Sequence, residues 1–149
     1  MKTHLNFAAT DLAKSAEFYS ALLDAKPTKM LPDYVLFITE QPGLELALDL
    51  ATSVPPTRDV HYGILVESVA EVEHAIKRLD RIGAVSSIER DETCCYANQS
   101  KVWSADPDGR RWEVYAVHED TGQRDGLDAK CCLTDGETPS CCVTQAAGL

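Results

Sequence analysis

The amino-acid sequence predicts an α+β fold made of two paired modules, each running strand, helix, then about three strands. Three observations carry this expectation: a weak internal repeat, a one-sided helical pattern after each repeated strand, and short turn-bounded strand runs after each helix. A shift of 57 residues lays His4-Leu5-Asn6-Phe7-Ala8-Ala9-Thr10-Asp11-Leu12 over His61-Tyr62-Gly63-Ile64-Leu65-Val66-Glu67-Ser68-Val69, and carries Leu22 onto Leu79. Each repeated strand gives way after seven residues to a helix-capping side chain, Asp11 or Ser68.

The segments after the caps have a helical apolar period. Leu12, Ala16, Tyr19 and Leu22-Leu23 line one face in the first, and Val69, Val72, Ile76 and Leu79 in the second. Pro27 and Gly83 mark where the two helices must have ended. Strands are expected near 28–32, 34–39 and 44–50, and again near 85–90, 94–97, 100–105 and 111–117. Pro32-Asp33, Gln41-Pro42-Gly43 and Asp106-Pro107-Asp108-Gly109 supply turns between them.

The modules therefore span about 1–50 and 58–118, joined by a linker with Pro55-Pro56 and together forming one domain over 1–118. Residues 119–149 lack periodicity and large apolar side chains, which predicts a flexible Cys-rich tail that cannot bury enough surface to offset its ordering entropy.

Composition narrows the function. The chain has 149 residues and 44% hydrophobic content, enough for one core, and its net charge of −10 repels polyanions, so nucleic acid is excluded as a partner. No apolar run approaches the roughly 20 residues of a membrane helix. The N-terminal segment lacks the apolar stretch of a secretory signal, so a cytoplasmic protein is expected. The six cysteines form three adjacent pairs: Cys94-Cys95, Cys131-Cys132 and Cys141-Cys142. Neighbouring cysteines rarely bridge each other because the ring is strained, and paired thiols suit a soft ion or metalloid.

His4 and His61 hold equivalent places in the repeated strand, so a pseudo-twofold pairing of the modules would aim both rings at one point. In Arg111-Trp112-Glu113-Val114-Tyr115 the alternation sets Glu113 and Tyr115 on the face opposite Trp112 and Val114. A carboxylate in so apolar a strand needs a partner. Arg110 or Arg111 would be a plain ion-pair partner; the two strand histidines favour instead a metal shared with His4 and His61.

Aligning Gly43 with Gly109 sets Ala47 where Glu113 stands, leaving two histidines, one carboxylate and open positions, an arrangement expected for non-haem Fe(II). A register slip of two would instead offer Glu45 as a fourth ligand. No catalytic residue beyond these ligands is assigned.

The paired modules resemble the vicinal oxygen chelate superfamily of glyoxalases, bleomycin-resistance proteins and extradiol dioxygenases. More narrowly, Thr93-Cys94-Cys95-Tyr96-Ala97, Lys101-Val102-Trp103 and Trp112-Glu113-Val114-Tyr115 resemble the organoarsenical carbon–arsenic lyases and the cadmium-induced proteins. The resemblance implies a vicinal oxygen chelate metal-binding fold and an Fe(II)-dependent dioxygenase that cleaves trivalent organoarsenicals, such as methylarsonous acid or aromatic arsenicals, to arsenite. It carries metal ligation onto His4, His61 and Glu113, with dioxygen as co-substrate.

Trivalent arsenic is soft and binds two thiolates well, so Cys94 and Cys95 are expected to anchor the substrate. Tyr96 and Lys101 would shape the pocket or hold its loop, and Cys131, Cys132, Cys141 and Cys142 would scavenge arsenical. Two alternatives remain open: a thiol-rich cadmium or arsenic binding protein on the same fold, and a glyoxalase-type metalloenzyme. The sequence equally leaves open whether the modules pair within one chain or across a homodimer.

Overall fold

The computed structural model describes residues 1–57 and 60–122. Its elements follow the order β1 (Thr3–Ala9), α1 (Leu12–Leu23), β2 (Lys29–Met30), β3 (Tyr34–Thr39), β4 (Leu44–Leu50), β5 (His61–Leu65), α2 (Val69–Arg81), β6 (Val85–Cys94), β7 (Ala97–Ala105) and β8 (Arg111–Asp120). Two four-stranded mixed sheets result, ordered β1-β4-β3-β2 and β5-β8-β7-β6. The α+β architecture of two βαβββ modules is thus the one the repeat predicts. Each repeated strand runs parallel to the last strand of its own module, β1 to β4 and β5 to β8.

Both caps form as the sequence predicts. The Asp11 carboxylate accepts from the backbone N–H groups of Ala13 and Lys14, and the Ser68 hydroxyl from that of Glu71, satisfying orphan donors of the first turn. Helix α1 ends at Asp24 in the left-handed conformation, three residues before Pro27. The register also matches the repeat: Asn6 faces Ala47 as Gly63 faces Glu113.

Helix α1 packs on β3 and β4, α2 on β7 and β8, and the helices touch each other. The modules share one core in which Phe7 of β1 meets Tyr62 of β5 at 5.2 Å between ring centroids, and Tyr62 stacks on Trp112 at 4.9 Å. Tyr19 of α1 reaches across to Trp112 edge-on at 5.8 Å and donates to the buried Asp106 carboxylate at 2.7 Å. Aromatic burial and this hydrogen bond tie the modules by their helix-covered faces.

Two expectations need correction. The strands foreseen at 85–90 and 94–97 are separate in the sequence reading, whereas β6 runs unbroken to Cys94, with register shifts between Val85 and Ser87 and between Glu89 and Glu92. Bulges let one strand carry irregular polar stretches without ending. The last strand also continues past 117, through His118, to Asp120, because β7 offers it partners as far as Ala97. Among the described residues no helix is long and apolar enough to cross a membrane. The expected flexible tail, apart from its first residues, lies outside the described residues, as do Cys131, Cys132, Cys141 and Cys142.

Candidate functional site

The sheet of the second module has one face against the helices and one open face. Trp112, Val114 and Ala116 of β8 enter the core, so alternation turns Glu113, Tyr115 and Val117 to the open face. On β7 the same rule turns Gln99, Lys101 and Trp103 toward them. A cavity of about 290 Å³ forms there, lined by these side chains together with His61, Cys94, Cys95 and Ala97. Five of the residues singled out in the sequence, His61, Glu113, Cys94, Cys95 and Lys101, therefore share one hollow.

Glu113 is buried, and its ion-pair partner is neither Arg110 nor Arg111 but Lys101, whose Nζ lies 2.8 Å from Oε2. Arg110 is drawn instead to Asp106, 2.9 Å away, and Arg111 stacks over Trp103 at 4.6 Å. The other carboxylate oxygen of Glu113 stands 3.6 Å from His61 Nε2. One ion bonding each atom at about 2.1 Å spans such a gap. Gly63, directly across from Glu113, keeps this space open: a Cβ there would sit 3.2 Å from Glu113 Oε1 and 3.1 Å from the Tyr115 ring.

Lys101 lies within the strand expected at 100–105 and lines the cavity, as a buried residue of β7 set against the rings of Trp103 at 5.3 Å and Tyr115 at 5.8 Å. Trp103 organises this corner, since the His61 ring meets it edge-on at 5.2 Å and its Nε1 donates to Glu89 Oε1 at 2.9 Å. Burial pushes the Glu89 carboxyl up, against the Lys101 charge and the Trp103 hydrogen bond, which lower it. Sequence reasoning missed Glu89 and Gly63. Glu89 carried little signal, one acid of the polar run Glu89-Arg90-Asp91-Glu92; Gly63 carried one only through its register with Glu113.

The thiols sit at the tip of the β6–β7 hairpin. Cys94 closes the ladder against Ala97, and Cys95 and Tyr96 form the two-residue turn with φ of 55° and 67°. This left-handed pair is the turn that matches strand twist, although it usually takes Asn-Gly. The Tyr96 carbonyl accepts from the Thr121 N–H at 2.7 Å, tying the turn to the end of β8. Cys94 is buried and Cys95 exposed, with their sulfurs in non-bonded contact at 3.3 Å. Cys94 is in the disulfide form.

His4 lies elsewhere. It is exposed on β1, where its Nδ1 is 3.0 Å from Glu45 Oε1, its direct register partner on β4. Strands β1 and β5 are edges of different sheets and are not paired with each other. Among the described residues no group of three metal-binding side chains converges. His74, on α2, is exposed, and His118 contacts Ser100 Oγ at 3.0 Å and Asp91 at 3.3 Å.

This fold, with a histidine and a carboxylate on the open face of a βαβββ sheet, defines a class. The chain belongs to the Glyoxalase/Bleomycin resistance protein/Dioxygenase superfamily, whose family model matches residues 3–114. Among its relatives is the "Trivalent organoarsenical cleaving enzyme" of Bacillus sp. (strain MD1), 38% identical over 147 residues, covering 97% of this chain and 91% of that protein. The "Cadmium-induced protein CadI" of Mycobacterium bovis is 36% identical, covering 98% and 95%. The fosfomycin resistance protein FosX of Listeria monocytogenes shares the fold, with a TM-score of 0.62 at 18% identity over 76% of this chain and 90% of that one.

Proposed function

We propose that this protein is an Fe(II)-dependent carbon–arsenic lyase of dioxygenase type that converts trivalent organoarsenicals to arsenite. One observation carries the reading: the paired sulfurs of Cys94 and Cys95 open into the same cavity as His61 and Glu113. The names of the relatives from Bacillus and from Thermomonospora curvata, both called trivalent organoarsenical cleaving enzymes, support it.

The thiols hold the substrate. Two S–H groups replace two hydroxyls on methylarsonous acid, releasing two waters and leaving the As–C bond intact in a dithiolate chelate. Only the dithiol can do this, so capture starts from reduced Cys94. Trp103, Tyr115 and Val117 give the cavity an apolar wall that receives the organic group and sheds water. Fixing the arsenic over the metal site lowers the entropic barrier to reaction.

His61 and Glu113 fit a divalent metal by donor type and separation, and the cation already paired with Glu113 shows that the buried carboxylate requires positive charge. The chemistry that iron supplies when bound is activation of dioxygen. His4 completes the ligand set from a second copy of the chain, because β1 and β5 are both open edges and His4 faces solvent within its own chain. Organic arsenical is the small-molecule partner, and the setting is the cytoplasm, where thiols stay reduced.

The decisive experiment separates metal from thiol in a chain ending at Gly122, which removes the distal cysteines. Tris(2-carboxyethyl)phosphine serves as reductant, since dithiothreitol itself chelates arsenic. The double variant Cys94→Ser, Cys95→Ser is expected to keep its iron while methylarsonous acid binding falls by orders of magnitude. His61→Ala is expected to lose the iron. Unchanged arsenical binding and turnover in the double serine variant would refute the thiol-anchored mechanism. The cadmium-binding alternative predicts metal uptake without arsenite release.

A further inference from the structure

A metal approaching His61 and Glu113 meets a carboxylate that already has a cation. Lys101 Nζ is 2.8 Å from Glu113 Oε2, and the two side chains are only 5% and 11% exposed. A divalent ion and an ammonium on one buried carboxylate repel each other, so the ammonium must move or the metal must bind weakly. A displaced ammonium in turn needs a new acceptor, because an unpaired buried charge is costly.

The structure contains that acceptor. Glu89 stands directly across from Lys101 in the β6–β7 ladder, on the same face of the sheet. Trp103 Nε1 holds its Oε1 at 2.9 Å, while its Oε2 is buried without a hydrogen-bond partner among the described residues. An orphaned carboxylate oxygen of this kind calls for an explanation. The Lys101 stem is long and unbranched, and its head lies against the rings of Trp103 and Tyr115, so the ammonium can swing while the strand stays fixed.

Resting on the metal site argued above, we propose that Lys101 is an internal counter-cation that surrenders Glu113 to the metal by moving onto the orphaned Oε2 of Glu89. Glu89 and Lys101 are then positioning residues. Neither touches substrate or metal, yet together they set how tightly the metal is held. In the metal-free protein Lys101 neutralises Glu113. In the metal-loaded protein it neutralises Glu89.

The test is Mn(II) binding to the reduced full-length chain, with the unbound ion counted by electron paramagnetic resonance. Mn(II) is a hard ion that thiolates hold poorly, and binding that remains in His61→Ala is subtracted as background. Glu89→Gln is expected to weaken Mn(II) roughly tenfold, as loss of an outer contact does at other metal sites. Lys101→Met is expected to tighten it by about as much, since nothing has to be displaced. In the Lys101→Met background the further change Glu89→Gln is expected to have no effect, because the two residues act through one another. Lys101→Gln, which can still donate to Glu113, replaces Lys101→Met if that variant fails to fold.

Wild-type affinity in Glu89→Gln, or a Glu89 effect that persists without Lys101, would overturn the proposal while leaving the metal site standing. If the wild-type chain binds no more Mn(II) than His61→Ala, the metal site falls, and this inference falls with it.

Discussion

Tyr19→Phe removes one oxygen and tests how the two modules are locked together. The Tyr19 hydroxyl donates at 2.7 Å to Asp106 Oδ2, a carboxylate whose side chain is fully buried. Asp106 also accepts from Arg110 Nη1 at 2.9 Å and from the backbone N–H groups of Asp108 at 3.0 Å and Arg110 at 2.8 Å. The variant therefore leaves the charge compensated and costs one charge-assisted hydrogen bond, about 2 kcal/mol. For a chain of this size that lowers Tm by roughly 4–8 °C.

Urea unfolding should show a lower midpoint at unchanged slope. Burial, with the Asp106 charge adding to it, pushes the Tyr19 phenol well above its ordinary value. Its contribution to stability is thus whole below the unfolded value near 10 and is lost as pH rises beyond it, at about 1.4 kcal/mol per pH unit. Tyr19→Phe should lack that alkaline slope. A loss under about 0.5 kcal/mol at neutral pH, or an alkaline limb identical to wild type, would refute the lock.

Three further outcomes follow from the site. Gly63→Ala should press on the Glu113 carboxylate, which its Cβ would approach to 3.2 Å, and weaken metal binding roughly tenfold; titration at wild-type affinity would show that the carboxylate shifts without consequence. The raised Glu89 carboxyl, displaced chiefly by burial, gives stability that is whole below its unfolded value of 4.5 and lost as pH rises through the folded one. Glu89→Gln should therefore gain on wild type in urea midpoints as pH rises above 4.5, and a difference that stays constant with pH would count against this. If His4 acts across two copies, an equimolar refolded mixture of His4→Ala and His61→Ala should regain about a quarter of wild-type turnover, since half the dimers are mixed and each carries one intact site. Two inactive variants that stay inactive when mixed would confine the site to one chain.

Much of the fold was legible because it is written in local chemistry. The repeat, the capping side chains Asp11 and Ser68, and the apolar period of α1 and α2 each act over a few residues, so they survive in a bare sequence. The alternation in β8 likewise showed which face Glu113 would take. The break foreseen between 85–90 and 94–97 was misplaced because polar runs in β6 mimic a turn; only the pairing with β7 shows that bulges absorb them.

The sequence by itself determined two modules, their helices, and the presence of two strand histidines, a strand carboxylate and vicinal thiols. The tertiary structure alone decided which of them meet. His61, Glu113, Cys94 and Cys95 share a cavity because β5, β6, β7 and β8 form one sheet, whereas His4 sits on the other sheet beside Glu45. It alone also showed Lys101 as the partner of Glu113 and left one Glu89 oxygen without a hydrogen-bond partner among the described residues. The physical reason is range: periodicity and capping are set by neighbours in the chain, but the pairing of buried charges depends on strand register between residues far apart in sequence.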